Sequence, residues 1–247
     1  MFVLDERGGE ARVAFTDRHG GVSDGPWASL NLGIGGGDDP DRVRTNLARV
    51  VEEHGGAPDR VVAMRQVHGV DVRVVDAVPA ESPVCDALVT RTPGLVLMVR
   101  AADCVPVVLA DPATAVVGVA HAGRLGMAAG VVPAAVAAAR AIGAGPGLQA
   151  WLGPRVCGGC YEVPEAMRAE VAAAEPAARA TTTWDTPALD VAAGVLAQLG
   201  RLGVPVVDVA DRVGAVAACT VESPDLYSYR RQGARSGRLA GLVHVQP

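Results

Sequence analysis

The feature that most constrains the fold is residues 96–127, VLMVRAADCVPVVLADPATAVVGVAHAGRLGM, in which apolar runs end at candidate metal ligands. Cys104 follows the run 95–99, and His121 follows the run 116–120. Runs rich in Val and Leu without alternation are typical of strands buried on both faces. A ligand at the end of such a strand has a rigid support, so this stretch predicts a functional site built on a buried sheet.

A third candidate ligand lies upstream, in the segment Arg65-Gln-Val-His68-Gly. His68, Cys104 and His121 offer two imidazoles and one thiolate, which suits a borderline-soft ion such as Zn²⁺ and leaves one position open for water or substrate. A structural zinc site usually shows two closely spaced ligand pairs instead. From spacing alone, the alternative that these are ordinary structural side chains stays open.

Three motifs resemble one known family: QVHG at His68, ADCVPV at Cys104 and HAG at His121. They are similar to those of the YfiH family, also called the laccase-domain or multicopper polyphenol oxidase family, which has a purine nucleoside phosphorylase type. Further segments that resemble the family, in the same order, are FTDRHGGVS at 15–23, SLNLG at 29–33, DDP at 38–40, LGP at 152–154, CYEV at 160–163, CT at 219–220, YSYRR at 227–231 and GR at 237–238. The resemblance covers nearly the whole chain.

The resemblance implies a zinc-dependent purine nucleoside phosphorylase that accepts adenosine, inosine, guanosine and methylthioadenosine and also deaminates adenosine. His68, Cys104 and His121 would be both its catalytic and its metal-binding residues, with Cu²⁺ as the alternative to Zn²⁺. The expected partners are a small-molecule nucleoside and phosphate. The residues expected to bind substrate or anion are Arg18, Asn31, Arg124, Arg230 and Arg231.

Two carboxylates are expected to support the ligands. Asp86 would orient a ligand imidazole or, alternatively, cap a turn. Asp103 is next to Cys104, and neighbours on a strand point to opposite sides. We therefore expect Asp103 to hydrogen-bond away from the metal, for example to the His68 loop.

One segment departs from the family pattern. The usual continuation of His-Ala-Gly is Trp-Arg-Gly, whereas this chain has Arg124-Leu125-Gly. Leu125 cannot bind an anion, and Arg124 is displaced by one residue. We therefore expect anion binding to depend on Arg230 and Arg231 more than on this loop, since guanidinium groups bind phosphate bidentately.

Composition limits the possible partners. The 247 residues contain no linker or charge block and are expected to form a single domain, residues 1–247. The formal net charge of −5 argues against a nucleic-acid or anionic-membrane partner. All 22 basic residues are Arg, which excludes the lysine chemistry of Schiff bases and P-loops. Anions must therefore be bound by guanidinium or backbone N–H groups.

The expected location is the cytoplasm, with the protein a monomer or small homo-oligomer. The first residues, MFVLDERGGEAR, lack the basic start and apolar core of a signal peptide. The longest apolar-rich stretch, residues 125–139, is too short for a membrane span. Five cysteines, an odd number, predict reduced thiols rather than a disulfide framework.

The pair Cys157-x-x-Cys160 has sharper alternatives, namely a redox pair or half of a zinc site. Nucleobase deaminases combine such a pair with an HxE motif, but none of the histidines here is followed by Glu at that spacing. Only one CxxC is present, so a four-cysteine zinc site is not expected. We therefore interpret this segment as loop packing near the active site.

The order of elements favours an α+β or mixed α/β fold, with a central mixed β-sheet or β-sandwich flanked by helices, because strands and helices do not alternate as in a doubly wound fold. The family resemblance implies the same. Apart from the two apolar runs, strands are predicted at 11–15, 61–64, 70–75, 148–152, 204–209, 212–219 and 239–245. Helices are predicted at 41–54, 127–140, 165–180 and 189–202.

Three other classes of function stay open. A copper-dependent polyphenol oxidase would need about ten His and Cys ligands, and the chain has only 5 histidines. A cysteine-type hydrolase that edits cell-wall peptide precursors could use Cys104 with a histidine base. The third is a non-catalytic metal-binding module. Removal of the metal would abolish the folding of such a module, whereas it would abolish only the turnover of an enzyme.

Overall fold

The structure is a computed structural model and describes residues 1–246. The strands in this part of the chain are β1 (Phe2–Gly8), β2 (Ala11–Thr16), β3 (Val61–Ala63), β4 (Val72–Val74), β5 (Ala87–Thr90), β6 (Val96–Ala101), β7 (Val105–Asp111), β8 (Val116–Ala122), β9 (Gln149–Leu152), β10 (Arg179–Thr181), β11 (Pro187–Leu189), β12 (Val206–Asp208) and β13 (Leu239–Val245).

The α-helices in the same part are α1 (Pro40–Glu53), α2 (Arg124–Ala129), α3 (Val131–Ala141), α4 (Glu165–Ala174), α5 (Val191–Arg201), α6 (Val209–Val213), α7 (Ala215–Ala218) and α8 (Tyr229–Gln232). Single turns of 3-10 helix occupy Gly25–Trp27, Pro58–Arg60, Pro176–Ala178 and Gly233–Arg235. Across residues 1–246, every helix falls short of the length and apolar character that a membrane crossing requires.

The strands form two large mixed sheets and one small hairpin. The five-stranded sheet has the order β1-β2-β13-β6-β3, and the six-stranded sheet has the order β12-β9-β7-β8-β5-β4. Most neighbours are antiparallel, but β3–β6, β4–β5 and β9–β12 are parallel pairs. Strands β10 and β11 pair with each other.

The two large sheets pack face to face, with helices on both outer faces. Leu97 and Val99 of β6 point between the sheets and pack in one core with Val108 of β7. The intervening Val96 and Met98 point outward and pack with α1. On the other side, β7 packs with α2, α3 and α5. Because both faces of the central strands are covered, their sequences are apolar without alternation. The expected flanked β-sandwich is confirmed.

Two helices are shorter in the structure than the sequence predicts. The helix predicted at 127–140 is part of α2 and α3, which are separated by Gly130 at φ 95°. Glycine adopts this left-handed conformation without steric strain and commonly ends a helix. The helix predicted at 165–180 is only α4, because Pro176 disfavours a helical conformation of the residue before it.

The strand predicted at 212–219 is wrong, because this segment lies in α6 and α7. Its alanines favour helix over strand, and Gly214, at φ 92°, separates the two short helices. The other predicted strands and helices overlap elements of the structure. The sequence did not predict β1, which pairs with β2, nor β5, β10 and β11.

Two connections cross from the five-stranded to the six-stranded sheet near one edge of the sandwich. Residues 64–71 join β3 to β4, and residues 102–104 join β6 to β7. The candidate site is built at this place.

Candidate active site and metal centre

The structure brings together the three ligands expected from the sequence, His68, Cys104 and His121, called the ligand triad below. One donor atom from each lies within 4.8 Å of the other two. Cys104 Sγ is 3.8 Å from His68 Nε2, and the two imidazole rings are 4.7 Å apart between centroids. Two imidazoles and a thiolate at this separation fit a Zn²⁺ site with one open position.

Local backbone conformation makes this approach possible. His68 has φ 61° and Asp103, next to Cys104, has φ 90°, both uncommon for residues other than glycine. Gly123 lies against the triad, and a Cβ atom there would be 2.6 Å from His68 Cδ2 and 3.1 Å from Cys104 Sγ. The glycine of the HAG motif is therefore required by close packing against two ligands.

Asp86 connects two members of the triad. Its buried carboxylate accepts hydrogen bonds from the backbone N–H groups of Val67, His68 and Gly69, at 2.7 to 3.2 Å. It also accepts one from His121 Nδ1 at 2.9 Å. Burial tends to raise the pKa of Asp86, but these donors outweigh it and lower that pKa. Asp86 thus fixes the His68 loop and leaves Nε2 of His121 to face the other ligands.

The charges of the metal-free triad are set by its own contacts. Burial opposes ionisation of Cys104, but hydrogen bonds from His121 and His68 outweigh it and lower the pKa of the thiol to about 6. Burial likewise opposes protonation of His121, but Asp86 and Cys104 raise its pKa to about 9. At neutral pH these values describe a thiolate beside an imidazolium. A thiolate is the form that binds a metal ion.

Replacing Asp86 by asparagine is expected to weaken metal binding at the triad by about 10- to 100-fold, because the amide nitrogen cannot accept the N–H groups that order the ligands. Competition with a chromophoric zinc chelator measures this change. Asp71→Asn, at an exposed position of the same connection, is the matched control and should bind like the unchanged protein. Equal affinities for both variants would show that Asp86 does not support the ligands.

The triad lies in the wall of a pocket of about 1080 Å³. Five arginines line it, and Asp103 is the one carboxylate among the described residues of its lining. Arg230 lies with its guanidinium over the ring of Tyr161, 4.8 Å from the ring centroid, and Arg238 lies over Tyr229 at 5.9 Å. The lining arginines are Arg65, Arg100, Arg124, Arg230 and Arg238. The pocket therefore favours an anionic ligand.

Arg100 is the most unusual of these arginines. It follows the buried residues of β6, and its Nε is buried without a hydrogen-bond partner. Among the described residues, no carboxylate pairs with its guanidinium. Burial lowers its pKa to about 10, so it is still cationic at neutral pH. A largely buried guanidinium that no carboxylate of the described residues neutralises is a favourable position for an anionic ligand.

Sequence reasoning missed Arg100. In the sequence, Arg100 is marked only by its place directly after the apolar run 95–99. Charged residues are common at the ends of ordinary strands, so this place alone does not indicate a functional residue. Gln66 of the QVHG motif bonds both backbone groups of Arg100, at 2.8 and 2.9 Å. This motif therefore positions the candidate anion site as well as His68.

Three residues expected to bind substrate or anion do not line the pocket. The guanidinium of Arg18 donates to the carbonyls of Ala28 and Pro224. That of Arg231 donates to three carbonyls in the segment 221–226. Asn31 is buried and accepts from the backbone N–H groups of Gly33 and Arg238. These side chains hold loops in place, whereas Arg124 and Arg230 do line the pocket.

The expected bond between Asp103 and the His68 loop is also absent from the described contacts. Asp103 instead accepts hydrogen bonds from the hydroxyl of Thr220 at 2.6 Å and from the backbone N–H of Arg230 at 2.7 Å. It lies on a turn with positive φ rather than on a strand, so the alternation argument does not apply. Asp86 is the residue that bonds the His68 loop.

The fold and the site together define a β-sandwich protein with a two-histidine, one-cysteine centre in an arginine-lined pocket. The family model described as multi-copper polyphenol oxidoreductase laccase matches residues 12–246. The chain belongs to this family, which is the laccase-domain or YfiH family that its motifs resemble.

Individual relatives agree with this assignment over nine-tenths or more of the chain. A purine nucleoside phosphorylase of Streptomyces coelicolor is 57% identical over 236 residues, which is 94% of this chain and 95% of the relative. The purine nucleoside phosphorylase YfiH of Escherichia coli is 35% identical over 92% of this chain and 90% of its own. The crystal structure of Neisseria meningitidis protein NMB0706 superposes with a TM-score of 0.85, at 32% identity, covering 100% of this chain and 99% of that one.

Proposed function

We propose that this protein is a purine nucleoside phosphorylase, in line with the names of its Streptomyces and Escherichia relatives. The observation that carries the proposal is Arg100, whose guanidinium is largely buried in the same pocket as the ligand triad and has no carboxylate partner among the described residues. A phosphate ion would give this guanidinium its missing partner. The nucleoside would lie between the phosphate and the triad.

The arginines and aromatic side chains fit the needs of phosphorolysis. A bond forms between a phosphate oxygen and C1′ of the ribose, the bond from C1′ to the purine nitrogen breaks, and the departing purine takes up a proton. Arg100, Arg230 and Arg238 can hold phosphate with one oxygen directed at C1′. Tyr229 lines the same pocket and is half-exposed, so the part of its ring that Arg238 does not cover can contact a purine base.

The finer form of the proposal includes zinc and a second activity. Zn²⁺ held by the triad would supply an electrophilic centre with an open coordination position, which suits adenosine deamination. Asp86 would keep His68 and His121 oriented toward it. We propose adenosine, inosine, guanosine and methylthioadenosine as substrates of the same pocket. The small-molecule partners of the protein would then be the nucleoside and phosphate.

A cysteine-type hydrolase is the second candidate, and the lowered pKa of Cys104 favours it. In that mechanism the thiolate attacks an acyl carbon and His68 or His121 provides the proton. The two candidates respond differently to chelation. A thiolate nucleophile works without metal, whereas a zinc-dependent phosphorylase does not.

The test is a panel of purine nucleosides incubated with and without phosphate. We expect free purine and ribose 1-phosphate only when phosphate is present, and we expect chelation to abolish turnover and added Zn²⁺ to restore it. Phosphate-independent release of purine, or no turnover of any nucleoside, would contradict the phosphorylase. Retained fold without metal, seen by circular dichroism, would separate the enzyme from a structural metal-binding module.

The same preparation tests the copper oxidase alternative. His19 pairs with Asp225, and His54 and His244 pack against each other, with ring centroids 4.8 Å apart. The triad therefore includes only two of the 5 histidines. We expect protein isolated without added copper to lack a visible thiolate-to-copper band and to consume no oxygen with phenols. Either signal would favour the oxidase instead.

A further inference from the structure

A second group of potential ligands lies outside the triad: Cys157, Cys160, Cys219 and Glu222, called the cysteine cluster below. One donor atom from each lies within 4.8 Å of the others. Cys157 Sγ is 3.6 Å from a carboxylate oxygen of Glu222, and all three thiols are free. Cys160 and Cys219 are buried, while Glu222 is exposed.

The cluster is assembled by two backbone turns. Cys157 and Cys160 are on a turn in which the Cys157 carbonyl accepts from the backbone N–H of Cys160 at 3.0 Å. Cys219 and Glu222 are on a turn in which the Cys219 carbonyl accepts from the N–H of Ser223 at 2.9 Å. Each turn places two donors on one side. Together they form a C-x-x-C pair and a C-x-x-E pair.

Backbone bonds hold the two turns against each other independently of the thiols. Arg155 donates its N–H to the Ala218 carbonyl at 3.1 Å and accepts from the N–H of Thr220 at 3.0 Å. The N–H of Cys157 points at Cys219 Sγ, 3.5 Å away. Backbone N–H donation to sulfur is a common feature around metal-bound thiolates, because it orients the ligand. The donor set is therefore pre-positioned by the fold.

We propose that the cysteine cluster is a second metal site, one that binds Zn²⁺ in a closed, structural manner. Two closely spaced ligand pairs are the pattern of structural zinc sites, and three thiolates suit a borderline-soft ion. Thiolates about 2.3 Å from a tetrahedral Zn²⁺ are about 3.8 Å apart, so donors within 4.8 Å need only small side-chain rotations. The carboxylate fills the fourth position and leaves none for substrate.

The sequence contains a single CxxC motif, and a four-cysteine zinc site needs two such pairs. For this reason the sequence did not predict zinc at this position. The structure brings the second pair from a distant part of the chain and includes a carboxylate as the fourth donor. A disulfide would join only two of the three thiols, at an S–S distance of about 2.0 Å. It would leave the third thiol and Glu222 without a role.

The position of the cluster assigns it a function. Val156 and Tyr161, on either side of the CxxC turn, line the active pocket. Thr220, next to Cys219, donates its hydroxyl to Asp103. A metal ion here links the two segments that form one wall of the pocket. We expect its removal to lower stability and to loosen that wall without disturbing the triad.

The test uses the His68→Ala, Cys104→Ala double variant, in which the triad keeps one ligand. Titration of this protein with Co²⁺ under reducing, oxygen-free conditions is expected to give the absorption of tetrahedral Co²⁺ with thiolate charge-transfer bands. Cys219→Ser in the same background should abolish these bands. Cys85→Ser is the thiol control, since Cys85 lies outside both groups, and it should leave the bands unchanged.

A second variant tests the proposal even if the Cys219→Ser variant does not fold. Glu222→Gln changes an exposed carboxylate and is expected to fold normally, bind Co²⁺ at least about tenfold more weakly and lose thermal stabilisation by Zn²⁺. Glu170→Gln on α4 is the matched exposed control. Absence of thiolate bands in the double variant would overturn the proposal. Loss of two titratable thiols in unreduced, denatured protein would replace it with a disulfide.

Discussion

The His68→Ala, Cys104→Ala double variant is expected to lose about one equivalent of zinc per chain and to fall at least about 10³-fold in phosphorolysis. The physical reason is that an electrophilic metal centre contributes several kcal/mol to transition-state stabilisation, and each 1.36 kcal/mol is about tenfold in rate. The remaining His121 cannot hold the ion alone. Elemental analysis and single-nucleoside kinetics on the same sample measure both changes.

Circular dichroism must show an unchanged fold for this comparison to hold. Cys85→Ala, which removes a buried thiol outside the triad, is the control and should keep both metal and activity. Full metal content in the double variant would refute the triad as ligands. Loss of metal with retained phosphorolysis would show that the ion has no part in that reaction.

Replacing Arg100 by methionine is expected to raise the KM for phosphate by about 10- to 100-fold, because a hydrogen bond to a charged group contributes about 1.5 to 3 kcal/mol. The same change should raise the thermal stability of the phosphate-free protein, since it removes a largely buried charge that no carboxylate of the described residues neutralises. A phosphate series at saturating nucleoside and a melting curve with and without phosphate check the two effects.

Arg73→Met is the matched control, because Arg73 is exposed on β4 and does not line the pocket. Arg231→Ala provides a second comparison: its guanidinium bonds three carbonyls, so stability should fall while KM for phosphate changes little. An unchanged KM in Arg100→Met, together with a large rise in Arg124→Met, would place the anion beside the HAG loop instead.

The layered fold could be predicted from the apolar runs, and the triad from these runs together with the motifs QVHG, ADCVPV and HAG that resemble the family. Strands covered on both faces have apolar sequences, and such runs stand out without any knowledge of their partners. His68, Cys104 and His121 each lie at or just beyond the end of such a run, within a short motif. The structure places them within 4.8 Å of one another.

The sequence does not show which arginines line the pocket and which hold loops in place. Arg230 and Arg231 are neighbours with the same local sequence, yet one guanidinium lies over Tyr161 in the pocket and the other bonds carbonyls of a loop. That difference depends on where the segment 221–226 packs, which is a tertiary contact. The same holds for the cysteine cluster, whose two halves are far apart in the chain and have no common local pattern.

The location of the triad on connections between the sheets links metal affinity to the alignment of the whole sandwich. His68 and Cys104 lie on two crossovers from the five-stranded sheet, while His121 lies on β8 of the six-stranded sheet. A small shift of one sheet relative to the other would increase the distance between the two imidazoles, although all three ligand residues would still be present. Substitutions deep between the sheets, such as Leu97→Ala, would therefore weaken ion binding from a distance, and bound ion would in turn resist unfolding of both layers together.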